Sequence, residues 1–90
     1  MKISVIVTNW NGLPLLKKNL PIIIKHSQIA DEIIVADDAS TDSSLKYLFH
    51  LQKTQPRLKI IGHQYNLGFG ANSNYAVKQA RGDLDRKSVV

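Results

Sequence analysis

Ninety residues, 43% of them hydrophobic and 21% charged, make one small globular unit and fall well below the size of a complete catalytic domain. The absence of cysteine excludes a disulfide framework, a thiolate metal site and a cysteine nucleophile, and it points weakly to a reducing compartment while leaving the compartment itself open. The net charge of +5 does not point to nucleic acid, because residues 31–42 hold five of the seven acids and no basic cluster with interleaved aromatics appears.

Ile3 to Val7 is β-branched and apolar apart from Ser4, which predicts a buried strand ending in the turn chemistry of Thr8, Asn9, Trp10, Asn11 and Gly12. The apolar run at the start is too short for a signal peptide or a membrane span. Pro14 suits the first turn of a helix, and Leu16, Leu20, Ile23 and Ile24 recur at helical spacing, so a helix is predicted over about residues 13–26 with a kink at Pro21. Glu32 to Ala36 reads as a second strand buried on both faces, and Asp37 and Asp38 fall at its carboxyl end. Ser40, Thr41 and Asp42 supply caps for a helix that presents Leu45, Leu48, Phe49 and Gln52 on one face and stops before Gln55 and Pro56. A third strand is predicted at Leu58 to Ile61. The Gly- and Asn-rich run from Gly62 to Asn74 then feeds a helix carrying Ala76, Val77 and Ala80, with Gly82 as its cap.

Strand and helix alternate, so right-handed crossovers give an α/β, Rossmann-like parallel sheet with flanking helices. Ligand crevices in such sheets lie outside the carboxyl ends of the strands. That places the loop Thr8, Asn9, Trp10 and Asn11 across one crevice from Asp37 and Asp38. A planar base could stack on Trp10 there while a carboxylate pairs with a base N–H. The plainer alternative makes Asp37 and Asp38 a turn and a cap, and the first loop a turn with a half-buried tryptophan. Repulsion between two adjacent carboxylates favours the ligand role. His26, His50 and His63 share no spacing and read as surface positions. No serine stands in a nucleophile-elbow context, and no catalytic or metal-binding residue is assigned. A fourth strand is due after Gly82, but Asp85 to Val90 offers no apolar run. That tail reads as non-native or disordered, and one codon choice for it reproduces the start of a widely used sequencing adapter.

Taken together, Ser4 to Asn11, Glu32 to Asp42 with its Asp-Asp-Ala-Ser-Thr-Asp, Asn66 to Asn74 and Ala80 to Asp83 resemble the amino-terminal half of family 2 glycosyltransferases of the GT-A fold. The Asn-Leu-Gly-Phe-Gly stretch is similar to rhamnosyltransferase-like members. The resemblance covers residues 3–84 and implies an incomplete nucleotide-sugar-binding half of that domain over residues 1–84. It implies that Thr8 and its loop contact the nucleoside, Asp38 pairs with the base, Asp37 supports the loop, and Asn66, Gly68 and Asn74 lie near the ribose and diphosphate. Trp10 stands where tyrosine is commoner, and Ala76 where glycine is. A parent enzyme would use Mn or Mg to move a sugar from a nucleotide-diphosphate sugar to a glycan or lipid-linked acceptor, in the cytoplasm and in contact with the membrane. The family's metal motif and base come after residue 84, so this piece is expected to bind no metal and to be inactive alone. Asp83 and Asp85 precede any strand and are given no metal role. The rival reading, a nucleotide- or phosphate-binding module such as a receiver-like signalling domain, would carry its acidic pair after the first strand.

Overall fold

The computed structural model describes residues 3–80 and the backbone of residues 87–89. Strands β1 (Ser4–Asn9), β2 (Glu32–Asp37), β3 (Leu58–Gly62) and β4 (Lys87–Val89) alternate with helices α1 (Leu13–His26), α2 (Ser44–Gln52) and α3 (Phe69–Gln79). The sheet is parallel throughout, in the order β3-β2-β1-β4. Its register aligns Asn9 with Asp37 and Asp37 with Gly62, so the carboxyl ends of the first three strands finish level with one another. This flush end is where the site forms.

Side chains alternate across the sheet and build two unequal cores. Val5, Val7, Ile33, Val35 and Leu58 face α1 and α2, where Leu16, Leu20, Ile24 and Leu48 close over them. On the other face, among the described residues, Ile6, Ile34 and Ala36 pack with Ala76, and Ile61, Val77 and Ala80 lie beside them. The α1 and α2 side therefore carries most of the hydrophobic stabilisation. Truncating the fully buried Leu20 would cost about 2 to 5 kcal/mol. At the amino ends of the strands Glu32 is buried but not isolated: Ser4 Oγ donates to it at 2.7 Å and Lys59 Nζ pairs with it at 2.7 Å.

Several expectations change. Strands β1 and β2 run on through Asn9 and Asp37, because those two side chains bond to each other across the ladder. α1 is continuous through Pro21, which lies on its exposed face. In α2, Phe49 is exposed, and Tyr47 and Leu51 flank the core in its place. The face of α2 turned to the sheet is centred on Ser44, Leu48 and Leu51, which leaves position 49 toward solvent. The predicted disorder of the tail does not hold for Lys87–Val89, which pairs in parallel with Ser4, Val5 and Ile6. The open edge of β1 accepts it through backbone bonds, which need no apolar sequence. The predicted cap at Gly82 lies outside the described residues.

Two polar devices secure the helix ends. Arg57 gathers the carbonyls that α1 leaves behind: Nη1 donates to Ser27 O at 2.7 Å, Ala30 O at 2.8 Å and Gln28 O at 3.3 Å, and Nη2 to Ile24 O at 3.4 Å. A guanidinium also suits the negative end of the helix dipole. The N-cap of α2 is Ser43, which makes no side-chain cap bond; Asp42, one residue earlier, accepts from Ser44 N at 3.0 Å and from Ser44 Oγ, and it reaches Leu13 N at 3.2 Å. The Ser44 hydroxyl bond chiefly holds the Asp42 carboxyl below its ordinary pKa, against a smaller opposing effect of desolvation.

Replacing Arg57 with Lys should lower stability by about 1 to 3 kcal/mol in urea titrations, since one ammonium cannot span these carbonyls. Asp42 has a depressed folded pKa, so its contribution is complete above the unfolded value and disappears as pH falls through the folded one. Asp42→Asn should therefore flatten the decline of the unfolding midpoint as pH falls through and below the ordinary carboxylate range. A decline as steep as that of the parent chain would contradict the assignment.

Candidate nucleotide-binding site

The acidic pair divides its work, because consecutive residues leave the strand on opposite sides. Asp37 is fully buried. Its Oδ1 accepts from Asn9 Nδ2 at 2.8 Å and Ser40 Oγ at 2.6 Å, and its Oδ2 from Ser40 N at 3.0 Å. Its own carbonyl takes His63 N at 3.1 Å. A buried carboxylate with three donors ties the end of β1 to the turn after β2.

Asp38 turns the other way, toward the segment between β3 and α3. Its N–H donates to Asn9 O at 2.8 Å, while Oδ1 accepts from Leu67 N at 2.6 Å and Oδ2 from Gly68 N at 2.9 Å. Asn66 adds a bond from Nδ2 to Asp38 O at 3.3 Å and receives Gly68 N at 3.1 Å. Gly68 has φ of 84°, in the left-handed region where a side chain is strained, and it opens α3 by accepting Asn72 N at 2.9 Å. The carboxylate thus does in the free chain what a ligand would otherwise be invoked to explain. Repulsion between Asp37 and Asp38 is offset by the chain's own N–H groups, so it is not evidence of a bound cation.

Asn11 clasps the two loops together. At φ of 50° its Oδ1 accepts Thr41 N at 2.7 Å and Asp42 N at 3.3 Å, and its own N–H donates to Ser40 Oγ at 2.9 Å. Next to it Gly12 has no room for a side chain, because a Cβ there would stand 2.8 Å from Asn9 Oδ1.

Between these loops opens a cleft of about 330 Å³ lined by Thr8, Asn9, Trp10, Asp38, Asn66, Gly68, Phe69 and Asn72. That size is at the lower end of small-molecule pockets. Six of the nine predicted site residues line it: Thr8, Asn9, Trp10, Asp38, Asn66 and Gly68. Asp37 stands behind it as a support, Asn11 acts as the clasp, and Asn74 is exposed on α3 and does not line the cleft. Trp10 is 61% exposed, which rules out a half-buried turn residue and leaves an indole face free at the rim.

Phe69, Asn72 and His63 were not anticipated. Asn72 is buried; its Nδ2 donates to Ala36 O at 2.9 Å and its Oδ1 lies 2.8 Å from His63 Nε2. Since the Ala36 carbonyl can only accept, Asn72 Oδ1 must face the imidazole, and His63 Nε2 must carry the proton. His63 also meets Tyr75 edge to face at 4.9 Å, so it is half-buried and not the surface residue expected. His26 and His50 are exposed. The available signal was Asn72 itself, a polar residue one turn before Ala76 on the sheet-facing side of α3.

Among the described residues no three His, Cys, Asp or Glu side chains converge on a point. Asp37 and Asp38 direct their oxygens at N–H and O–H donors, and no third ligating side chain joins them among the described residues.

Residues 4–85 match the family described as glycosyl transferase family 2. A β-1,3-glucosyltransferase of Campylobacter jejuni that acts on GalNAc(5)-diNAcBac-PP-undecaprenol is 36% identical over 84 residues, which are 92% of this chain and 27% of the relative. Among solved structures, Staphylococcus aureus TarS (residues 1–349) in complex with UDP superposes with a TM-score of 0.81 at 30% identity over 100% of this chain and 27% of that one. A Pyrobaculum calidifontis mannosyltransferase in complex with GDP-Man and Mn²⁺ gives 0.78 at 27% identity over 90% of this chain and 25% of that one. The chain thus spans about a quarter of the length of these relatives. With a sheet and flanking helices that match GT-A glycosyltransferases along the whole chain, and a family match from the first strand to Asp85, the chain belongs to glycosyl transferase family 2.

Proposed function

We propose that this chain is the nucleoside-recognising part of a nucleotide-sugar-dependent glycosyltransferase, whose complete form transfers a sugar from a nucleotide-diphosphate donor to a glycan or lipid-linked acceptor. The observation that carries the reading is the cleft at the flush ends of β1 and β2, with a carboxylate at its floor and an exposed indole at its rim. Each Asp38 oxygen accepts one backbone bond and keeps further lone-pair capacity, so it can take a base N–H as well. Uracil and guanine, the bases of the nucleotides held by the two solved relatives, both offer one. Trp10 supplies a stacking face at low entropic cost, because it is already displayed. Thr8 and Asn9 line the nucleoside side, and Asn66 and Gly68 the side toward the ribose and diphosphate.

A divalent cation belongs to the complete enzyme. It would neutralise the leaving diphosphate, and its ligands lie elsewhere than the described residues. The functional unit in this reading is residues 1–84. The rhamnosyltransferase-like character of Asn66 to Gly70 bears on donor choice, and a cytoplasmic site of action suits a donor made there. A receiver-like module is the poorer reading, since the acidic pair follows the second strand and Asp37 is sealed behind Ser40 and Asn9.

Titration with uridine diphosphate followed by NMR tests this. Asp38→Asn should weaken binding by about 1.5 to 3 kcal/mol, the range for a charge-assisted hydrogen bond. Trp10→Ala, at an exposed position that leaves the fold intact, should weaken it by about 1 to 3 kcal/mol if a base stacks there. Unchanged affinity in both variants, or shifts that avoid Thr8 to Trp10, would refute the site.

A further inference from the structure

The outer surface of α1 carries a pattern that the nucleotide site does not use. The helix buries Leu16, Leu20 and Ile24 against the sheet. On the directly opposite side Leu15 and Ile22, seven residues apart, are 65% and 51% exposed. Lys18 and Lys25 have the same spacing and share that side, both exposed. Ile29, 80% exposed, extends the apolar positions past the end of the helix. Residues 1–30 contain four lysines and no acid.

We propose that the outer face of α1 docks on an anionic lipid bilayer. Two well-separated aliphatic side chains flanked by lysines do not form the continuous apolar patch of a protein interface. No aromatic is interleaved with the lysines, as single-stranded nucleic acid would favour. A bilayer surface suits both components: Leu15 and Ile22 enter the acyl boundary while the Lys18 and Lys25 stems lie along it and their ammonium groups remain among the lipid phosphates. The helix is about 21 Å long, so contact along it lays the domain flat and leaves the cleft open at the side. No helix among the described residues is long and apolar enough to cross a membrane, so attachment here is peripheral. The proposal is independent of the nucleotide site.

The test is co-sedimentation of the chain with vesicles of phosphatidylglycerol mixed with phosphatidylcholine, and with phosphatidylcholine alone. Binding is expected only to the mixed vesicles. Lys18→Glu with Lys25→Glu should reduce it by roughly tenfold or more, whereas Lys53→Glu with Lys78→Glu, an equal charge change away from α1, should reduce it far less. Leu15→Ser with Ile22→Ser should also reduce it severalfold. Circular dichroism checks that each variant is folded, and uridine diphosphate binding should be unaffected. No binding to anionic vesicles, equal losses in both charge-reversal pairs, or no effect of the serine pair would each overturn the proposal. Equal competition by single-stranded nucleic acid and by anionic vesicles would overturn it in favour of a general polyanion surface.

Discussion

The Asp38 carboxylate, gripping the amides of Leu67 and Gly68, is the constraint on which the site depends. Without it the segment between β3 and α3 is tied to the end of β2 by the His63 N–H to Asp37 O bond at its start and by the long Asn66 contact, and the left-handed Gly68 keeps its bonds to Asn66 and Asn72 but loses its own tie to β2. One side chain therefore forms part of the cleft floor and shapes the wall that faces it. Asp37 does the corresponding task on the other side, joining Asn9 to Ser40. Two adjacent acids become one junction between three loops.

That junction explains how so small a core displays an ordered site. The α1 and α2 face supplies most of the buried apolar surface, and α3 rests on the sheet through little more than Ala76, Val77 and Ala80. A helix held by such small side chains would be poorly fixed by packing alone. Polar bonds compensate at its start: Asn72 to the Ala36 carbonyl, His63 to Asn72, and Gly68 to Asp38. These partners are buried or half-buried, so losing any of them leaves a polar group without a partner in a dry setting, which gives the arrangement a single geometry.

The parallel order of strands and helices was legible because β-branched runs and helical periodicity are local signals, and six of the nine predicted site residues do line the cleft. What escaped was set by contacts between residues far apart in sequence. Asn11 has the look of a ligand contact but closes on Thr41 and Asp42, some thirty residues on. Arg57 reads as an ordinary surface cation until the carbonyls of Ser27 and Ala30 are seen to converge on it. Asn74 matched a motif by position, yet the turn of α3 carries it to the surface while Asn72, two residues earlier, faces the cleft. The short strand Lys87–Val89 has no apolar run to announce it, because an open sheet edge selects by backbone.

Native-state amide hydrogen exchange at Leu67 and Gly68 tests the junction most directly. Both amides lie outside strand and helix, where Gly68 N also meets Asn66 Oδ1 at 3.1 Å, and the account predicts that they are protected by at least about tenfold over free-chain rates chiefly through the Asp38 carboxylate, with the protection of Leu67 lost and that of Gly68 reduced in Asp38→Ala while Ile33 to Val35 stay protected. Exchange at free-chain rates in the unsubstituted protein would contradict it.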